Sequence, residues 1–301
     1  MKVLHVRDYV VNRLQYALNP KSIAVVGASR YETKVGYKVI EGLREWGYKG
    51  EIYPVNPRSD KVHGLKAYPT VKDIPYAVDL VFVAVPAHIV KSVLEDCVAK
   101  KVNIVVIATS AFKEIGRGQL QNDLTQYCRD NKLPLIGPNL VGMGSPYLNF
   151  NCGFIPYLPM EGPVAMISQS GANLLAALGT SQKDHFGMSF FVGLGNKADV
   201  DFCEFVSYAG IDDDTKCLAI YIEGLDSPEG FVEACQKVDK PIVTIKVGGS
   251  KIGVKAAFAH TASENEGTGD AYYDEVFQKA GAIRATTWQE FFDVSLALGM
   301  Q

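Results

Sequence analysis

Apolar positions in this chain fall into short runs that alternate with stretches of helical spacing. Residues 22–26, S-I-A-V-V, form one such run. Residues 36–46 then place Val39, Ile40, Leu43 and Trp46 on one helical face, and Gly47 closes the stretch. A second run at 51–55 is cut by Asn56-Pro57. A third, D-L-V-F-V-A-V at 79–85, is almost wholly apolar, as a parallel strand covered on both faces requires. Helical spacing returns over 88–100 and 119–131, with apolar runs at 104–108 and 133–136 before Gly137-Pro138-Asn139. Residues 1–20 read as an amphipathic lead helix. This alternation predicts an open parallel sheet with helices on both sides.

Residues 147–162 change character. They are rich in Asn, Pro, Gly and aromatics and hold no period, so they read as the connection between two domains. The alternation then restarts, with strands at 163–168, 189–192, 217–222 and 241–247. Helices are expected at 172–184, 200–209, 227–238, 271–280 and 288–298. The expected organisation is α/β throughout: a doubly wound domain over 1–147, followed by a second over 148–301.

Composition narrows the setting. The 301 residues are 48% hydrophobic and 21% charged, with a net charge of −3, ordinary for a soluble globular protein. Basic runs are lacking, so neither nucleic acid nor a membrane surface is an expected partner. The six cysteines form no C-x-x-C pair. They read as reduced thiols of a cytoplasmic protein. No run reaches the roughly 18 apolar residues of a membrane span, and M-K-V-L-H-V-R-D offers no apolar signal core.

Ligands of such sheets sit beyond the carboxyl ends of the strands, so the post-strand loops carry the candidate chemistry. Gly27-Ala28-Ser29-Arg30 follows the first strand but lacks G-x-G-x-x-G. The second strand leads to Arg58, where an NAD enzyme would place an acid. A planar guanidinium suits a phosphate, which favours coenzyme A or NADP over NAD, unless Arg58 is a solvated turn residue. Ser168-Gln169-Ser170-Gly171 opens a helix and is either an anion site or a plain N-cap. It is not the G-x-S-x-G of a hydrolase. Glu223 ends a strand where a carboxylate could orient an imidazole, or is a surface acid. Asn139 could be a turn residue. His260 stands among Ala256, Ala257, Ala259 and Ala262 with no Cys or second His nearby. It is an ordinary loop histidine or a nucleophile that carries a group between two half-reactions. No metal site is expected.

Taken in order, the motifs S-I-A-V-V-G-A-S, Y-P-V-N-P-R, V-A-V-P-A, S-A-F-K-E-I-G, G-P-N, I-S-Q-S-G-A, G-L-G-N-K-A-D-V, Y-I-E-G and A-H-T resemble a known family over about residues 15–298. This is the CoA-binding and phosphohistidine portion of the NDP-forming acyl-CoA synthetases, relatives of the succinyl-CoA synthetase alpha subunit. The resemblance implies a Rossmann-like CoA-binding domain followed by a flavodoxin-like domain. It also implies the reversible conversion of acyl-CoA, phosphate and ADP to carboxylic acid, CoA and ATP, through an acyl phosphate and a phosphohistidine. By resemblance His260 is phosphorylated, Glu223 holds its imidazole, and Ser168, Ser170 and Gly171 cradle the phosphate. Gly27, Ala28, Ser29, Arg30 and Arg58 would line the CoA nucleotide. Val85, Pro86, Thr109, Ser110 and Asn139 would follow the pantetheine. ATP or ADP with Mg²⁺ would act through an ATP-grasp region, not seen in these residues and expected on a beta subunit or on further chain. The implied setting is a hetero-oligomer or a fragment of a longer chain, acting on a small carboxylic acid. Two departures from the family pattern stand out: Ala259-His260-Thr261-Ala262 replaces Ser-His-Thr-Gly, and the stretch from His260 to Asp270 is about two residues longer than that pattern. A non-catalytic CoA-binding module of the same family is the alternative, and an NADP-dependent reductase a third reading.

Overall fold

The computed structural model describes residues 6–247 and 269–301. Its contacts divide the chain into two compact units. One is Arg13–Leu158 with Leu194–Val200; the other joins Pro159–Gly193, Asp201–Gln301 and the N-terminal residues up to Asn12. Helix α1 runs over Asp8–Leu18.

The first unit follows the expected alternation. Strand β1 (Ser22–Val26) leads to α2 (Val35–Glu45) and β2 (Glu51–Val55). A short antiparallel pair, β3 (Lys61–Val62) and β4 (Leu65–Lys66), precedes β5 (Leu80–Val83) and α3 (Ala87–Lys100). Then come β6 (Ile104–Ile107), α4 (Gly118–Asp130) and β7 (Leu135–Ile136). The sheet order is β2-β1-β5-β6-β7, parallel at every pairing. All residues of β1, β5 and β6 are buried, which is why they read as unbroken apolar runs. Pro54 is tolerated because β2 is an edge strand.

The second unit holds β10 (Glu161–Ser168), α5 (Gly171–Asp184), β11 (Met188–Gly193) and α6 (Phe202–Ile211). These are followed by β12 (Cys217–Ile222), α7 (Pro228–Cys235) and β13 (Ile242–Lys246). Helix Asp270–Ala280, strand β14 (Ile283–Ala285) and helix Trp288–Gly299 complete it. Parallel pairings give the order β11-β10-β12-β13-β14. Both sheets therefore share one plan: the second strand lies outside the first, and the rest follow on the other side. Each reverses direction of growth at its first strand.

Several expectations need correction. The stretch read as an irregular connection contains β9 (Phe150–Gly153), which pairs antiparallel with β8 (Gly142–Ser145). The two strands touch through glycine. A β-carbon on Gly142 would lie 2.5 Å from the Gly153 Cα. Such a close backbone approach needs residues that carry no hydrophobic period, so the pattern missed it. Strand β14 was missed because three residues are too few to show a period. The lead helix is shorter than expected, and so is α7.

All six cysteines are free and buried, and burial pushes the thiols of Cys217 and Cys235 up to about 12. Among the described residues no helix is long and apolar enough to cross a membrane.

One buried carboxylate locks the Leu194–Val200 segment to the first sheet. Asp199 accepts from Arg129 Nε at 2.8 Å and from the Leu135 backbone N–H at 3.2 Å. Replacement by Ala leaves both donors short of an acceptor. Asp199→Ala is expected to lower the unfolding free energy by about 2–3 kcal/mol in a urea melt, with loss below about 0.5 kcal/mol counting against the lock.

Candidate functional site

The order of the first sheet parts the loops after β1 and β5, and a crevice opens between them. It has a volume of about 690 Å³ and is lined by Gly27, Ala28, Ser29, Arg58, Val85 and Pro86 of the expected residues. Lys34, Val35, Gly36, Asn56, Ile89 and Asp96 complete much of the wall. A second cavity of about 420 Å³ shares Val35, Ala84, Val85 and Pro86 with it and adds Thr109, Ser110 and Arg117. Through these shared residues the two cavities adjoin along the Ala84–Pro86 segment, as one trench. Arg30 and Asn139 line neither cavity.

Backbone contact sets the shape of the floor. Gly27 has φ +89°, and a β-carbon there would sit 2.4 Å from the Ala84 carbonyl oxygen. A β-carbon on Gly36 would sit 2.1 Å from the Gly27 oxygen. Only glycine fits at either position. Asn56 Nδ2 donates to the Ala28 carbonyl at 2.7 Å, tying the loop after β2 to the loop after β1. The first residues of α2 and α3 follow Lys34 and Pro86, neither of which caps with a side chain. The N–H groups of Tyr37 and Ile89 donate back to the Lys34 and Pro86 carbonyls at 3.0 and 2.8 Å, so the two helix starts present the N–H groups of residues 35–36 and 87–88 at the crevice wall. Lys34, Arg58 and Arg117 supply positive charge around the trench, while Asp96 is engaged by Lys72 at 2.8 Å. The sequence alone singles out neither Lys34 nor Arg117; the signal for Lys34 is its place immediately before the helix that follows the glycine loop.

The wall of the smaller cavity is held from behind. Thr109 Oγ1 donates to the Val85 carbonyl at 2.7 Å. Glu114 Oε1 accepts from the backbone N–H groups of Ala111 (2.5 Å) and Phe112 (3.2 Å). Its other oxygen accepts from Asn196 Nδ2 at 2.7 Å. Burial pushes the Glu114 carboxyl up, but the Asn196 amide and the backbone donors outweigh it, so the group is held below the usual carboxylate range.

The second sheet reverses at β10, and there the loops after β10 and β12 meet. Ser170 caps α5, its Oγ accepting from Asn173 N at 3.4 Å and from Asn173 Nδ2 at 3.0 Å. Asn173 also donates to the Tyr221 hydroxyl at 2.8 Å. Gly171 is the first residue of the helix. Ser168 is buried, and its hydroxyl donates to the Ser170 carbonyl at 2.8 Å. Ser168 therefore shapes the turn. Gln169 brings Glu223 to this place: its Oε1 accepts from the N–H groups of Glu223 (2.9 Å) and Gly224 (3.1 Å). Burial raises the Tyr221 phenol, and the nearby Glu223 charge adds to the effect. Lys246 pairs in register with Ile222 and stands 4.5 Å over the Tyr273 ring. Burial lowers the Lys246 ammonium, with Asp270 and Glu223 pulling the other way. His260, the expected nucleophile, lies outside the described residues.

Comparison with known proteins gives a consistent picture. Residues 21–145 match the CoA binding domain family, and residues 161–298 match the succinyl-CoA ligase like flavodoxin domain family. The chain is 39% identical over 291 residues to an ADP-forming acetate–CoA ligase of Methanocaldococcus jannaschii, covering 96% of this chain and 40% of that protein. It is 38% identical over 293 residues to the alpha subunit of ADP-forming acetate–CoA ligase I of Pyrococcus furiosus, covering 95% of this chain and 63% of that one. A solved structure of the dinucleotide-forming acetyl-coenzyme A synthetase 1 of Ca. Korarchaeum cryptofilum, in complex with phosphate and ADP, superposes with a TM-score of 0.90 at 36% identity. That match covers 95% of this chain and 62% of the other. The chain thus spans less than two thirds of each of these relatives.

Two outcomes follow from this geometry. Gly36→Ala is expected to lower the unfolding free energy by at least about 2 kcal/mol in a denaturant melt, because backbone stands where the methyl would go; a neutral result would contradict the close approach. The depressed carboxyl of Glu114 contributes stability that is full above its unfolded pKa and lost as pH falls through its lower folded value. Glu114→Gln should therefore flatten the acid limb of stability against pH, and an unchanged limb would contradict that assignment.

Proposed function

With a CoA binding domain and a succinyl-CoA ligase like flavodoxin domain in tandem, the chain belongs to the alpha-type portion of the ADP-forming acyl-CoA synthetases, and we propose that it performs the CoA and phosphohistidine half of that reaction. Phosphate attacks the acyl-CoA carbonyl, the CoA thiolate leaves, and an acyl phosphate forms. The His260 imidazole then takes the phosphoryl group as the carboxylate departs. An ATP-grasp region, on a beta subunit or on further chain, passes the phosphoryl group to ADP with Mg²⁺. The acid is a small one, in keeping with the acetate in the names of both curated relatives. A cytoplasmic setting fits the six free thiols.

The observation that carries the reading is that the 690 Å³ crevice lies wholly within the residues that match the CoA binding family. The crevice suits the ligand chemically. Two helix starts without side-chain caps offer N–H groups to phosphates, Arg58 and Lys34 add charge, and the bare glycine floor admits close approach. Val85, Pro86, Thr109 and Ser110 continue toward the smaller cavity, where a pantetheine arm would run. Arg30 and Asn139 are assigned supporting places beside it. At the second switch point, Ser168 shapes the turn, and Ser170 with Gly171 presents the helix N-terminus to a phosphoryl group. Glu223 would accept from the imidazole of His260 and keep its attacking nitrogen unprotonated. The domain boundary we assign is 1–147 and 148–301.

CoA at about 100 times its dissociation constant should raise the unfolding free energy by about 2.7 kcal/mol, and NADPH should not; the reverse pattern would favour a reductase. With labelled ATP, Mg²⁺ and a matching ATP-grasp chain, acid-labile, base-stable phosphate should appear in the wild type, vanish in His260→Ala and fall at least roughly ten-fold in Glu223→Ala. CoA stabilisation without any label would support the non-catalytic module instead.

A further inference from the structure

The Glu114 and Asn196 side chains lie outside both cavities, yet they join three loops that the sequence keeps far apart. Glu114 Oε1 takes the N–H groups of Ala111 and Phe112, and Oε2 takes Asn196 Nδ2 at 2.7 Å. The same Asn196 amide donates to Gln121 Oε1 at 2.9 Å, and its carbonyl oxygen accepts from Asn139 Nδ2 at 3.2 Å. Asn139 in turn donates its backbone N–H to the Thr109 carbonyl at 3.0 Å. The ring of bonds encloses the Thr109–Phe112 turn, whose Thr109, Ser110 and Ala111 wall the smaller cavity. Within that turn Ala111 stands at φ +81°, a conformation that a residue with a side chain keeps only when its surroundings fix it. The surroundings here are the Glu114 carboxylate on the Ala111 N–H.

We infer that Glu114 and Asn196 are positioning residues that hold the Thr109–Phe112 turn in the shape that receives the thiol end of CoA, leaving the nucleotide end untouched. The inference rests on the proposed CoA reading of the trench. The chemistry of the pair is directional. A carboxylate only accepts, so the Asn196 amide must turn its NH₂ toward Glu114 and its oxygen toward Asn139. Glu114→Gln places an NH₂ against an NH₂ unless Asn196 turns over, and turning it over sets its NH₂ against that of Asn139. One substitution therefore disturbs the whole ring. Adding Asn196→Asp restores acceptors toward both the new amide and Asn139, and Gln121 regains a partner by rotating its own amide.

The test compares binding of CoA with binding of adenosine 3′,5′-bisphosphate, its nucleotide fragment, to the 301-residue chain by calorimetry. Glu114→Gln should weaken CoA by roughly ten-fold while the bisphosphate binds within roughly two-fold of wild type. The double variant Glu114→Gln/Asn196→Asp should recover CoA to within roughly three-fold. Gln121→Ala, which removes one outer arm only, should show the same selective loss at roughly two- to three-fold, and it carries the test if Glu114→Gln does not fold. Equal loss of both ligands, wild-type CoA affinity in Glu114→Gln, or a double variant no better than the single would overturn the inference. A wild-type chain that binds neither ligand would remove the CoA reading and the inference with it, an outcome distinct from failure of the ring alone.

Discussion

The Ala84 carbonyl oxygen fills the space where residue 27 would carry a β-carbon, and the Gly27 oxygen does the same for residue 36. Three segments, the ends of β1 and β5 and the start of α2, meet there without side chains between them. Everything else at the first switch point follows from that contact. It brings the start of α2 up to the crevice, leaves its first N–H groups facing the place where the loops part, and makes the floor backbone. A parallel sheet alone would supply a crevice; the two glycines make it one that a phosphorylated ligand can approach closely.

The same strand plan recurs in the second unit with different furniture. At its switch point Ser170 caps the helix, where the helices of the first unit start without a side-chain cap. Gln169 draws the Glu223 backbone to the same turn. One plan, repeated, thus gives two different settings in which we propose anions bind. The first is an open trench with cations on its wall. The second is a tighter turn with a carboxylate beside it, suited to a phosphoryl group on a neutral carrier. That division agrees with the two family matches, one over each half of the chain.

Much of this was legible in the sequence. Apolar runs such as 79–85 identify β5 because a strand buried on both faces has no polar alternation to break it, and helical spacing in 36–46 located α2 to within a residue. Gly27, Arg58 and Ser170 stand in loops after strands and carry local signals, whereas Val85 and Thr109 were singled out only through the family resemblance; all but Ser170 line the two cavities. The β8–β9 pair was not legible, because its contact is backbone on backbone through Gly142 and Gly153. Nor was the bond from Asn196 to Glu114, which spans 82 residues. Each residue there looks like an ordinary polar loop position until the fold closes the ring. Arg30 and Asn139 also stand in loops after strands and took their CoA role from the family resemblance, and neither lines a cavity.

Amide hydrogen exchange with and without CoA tests the central claim most directly, because it reads where on the backbone the ligand sits. The account predicts slowed exchange in residues 27–37, at the start of α3 from 87 onward and across 109–112, with the turn at 170–173 little changed by CoA alone. Protection confined to 170–173, or spread evenly over both units, would contradict a CoA site at the first switch point.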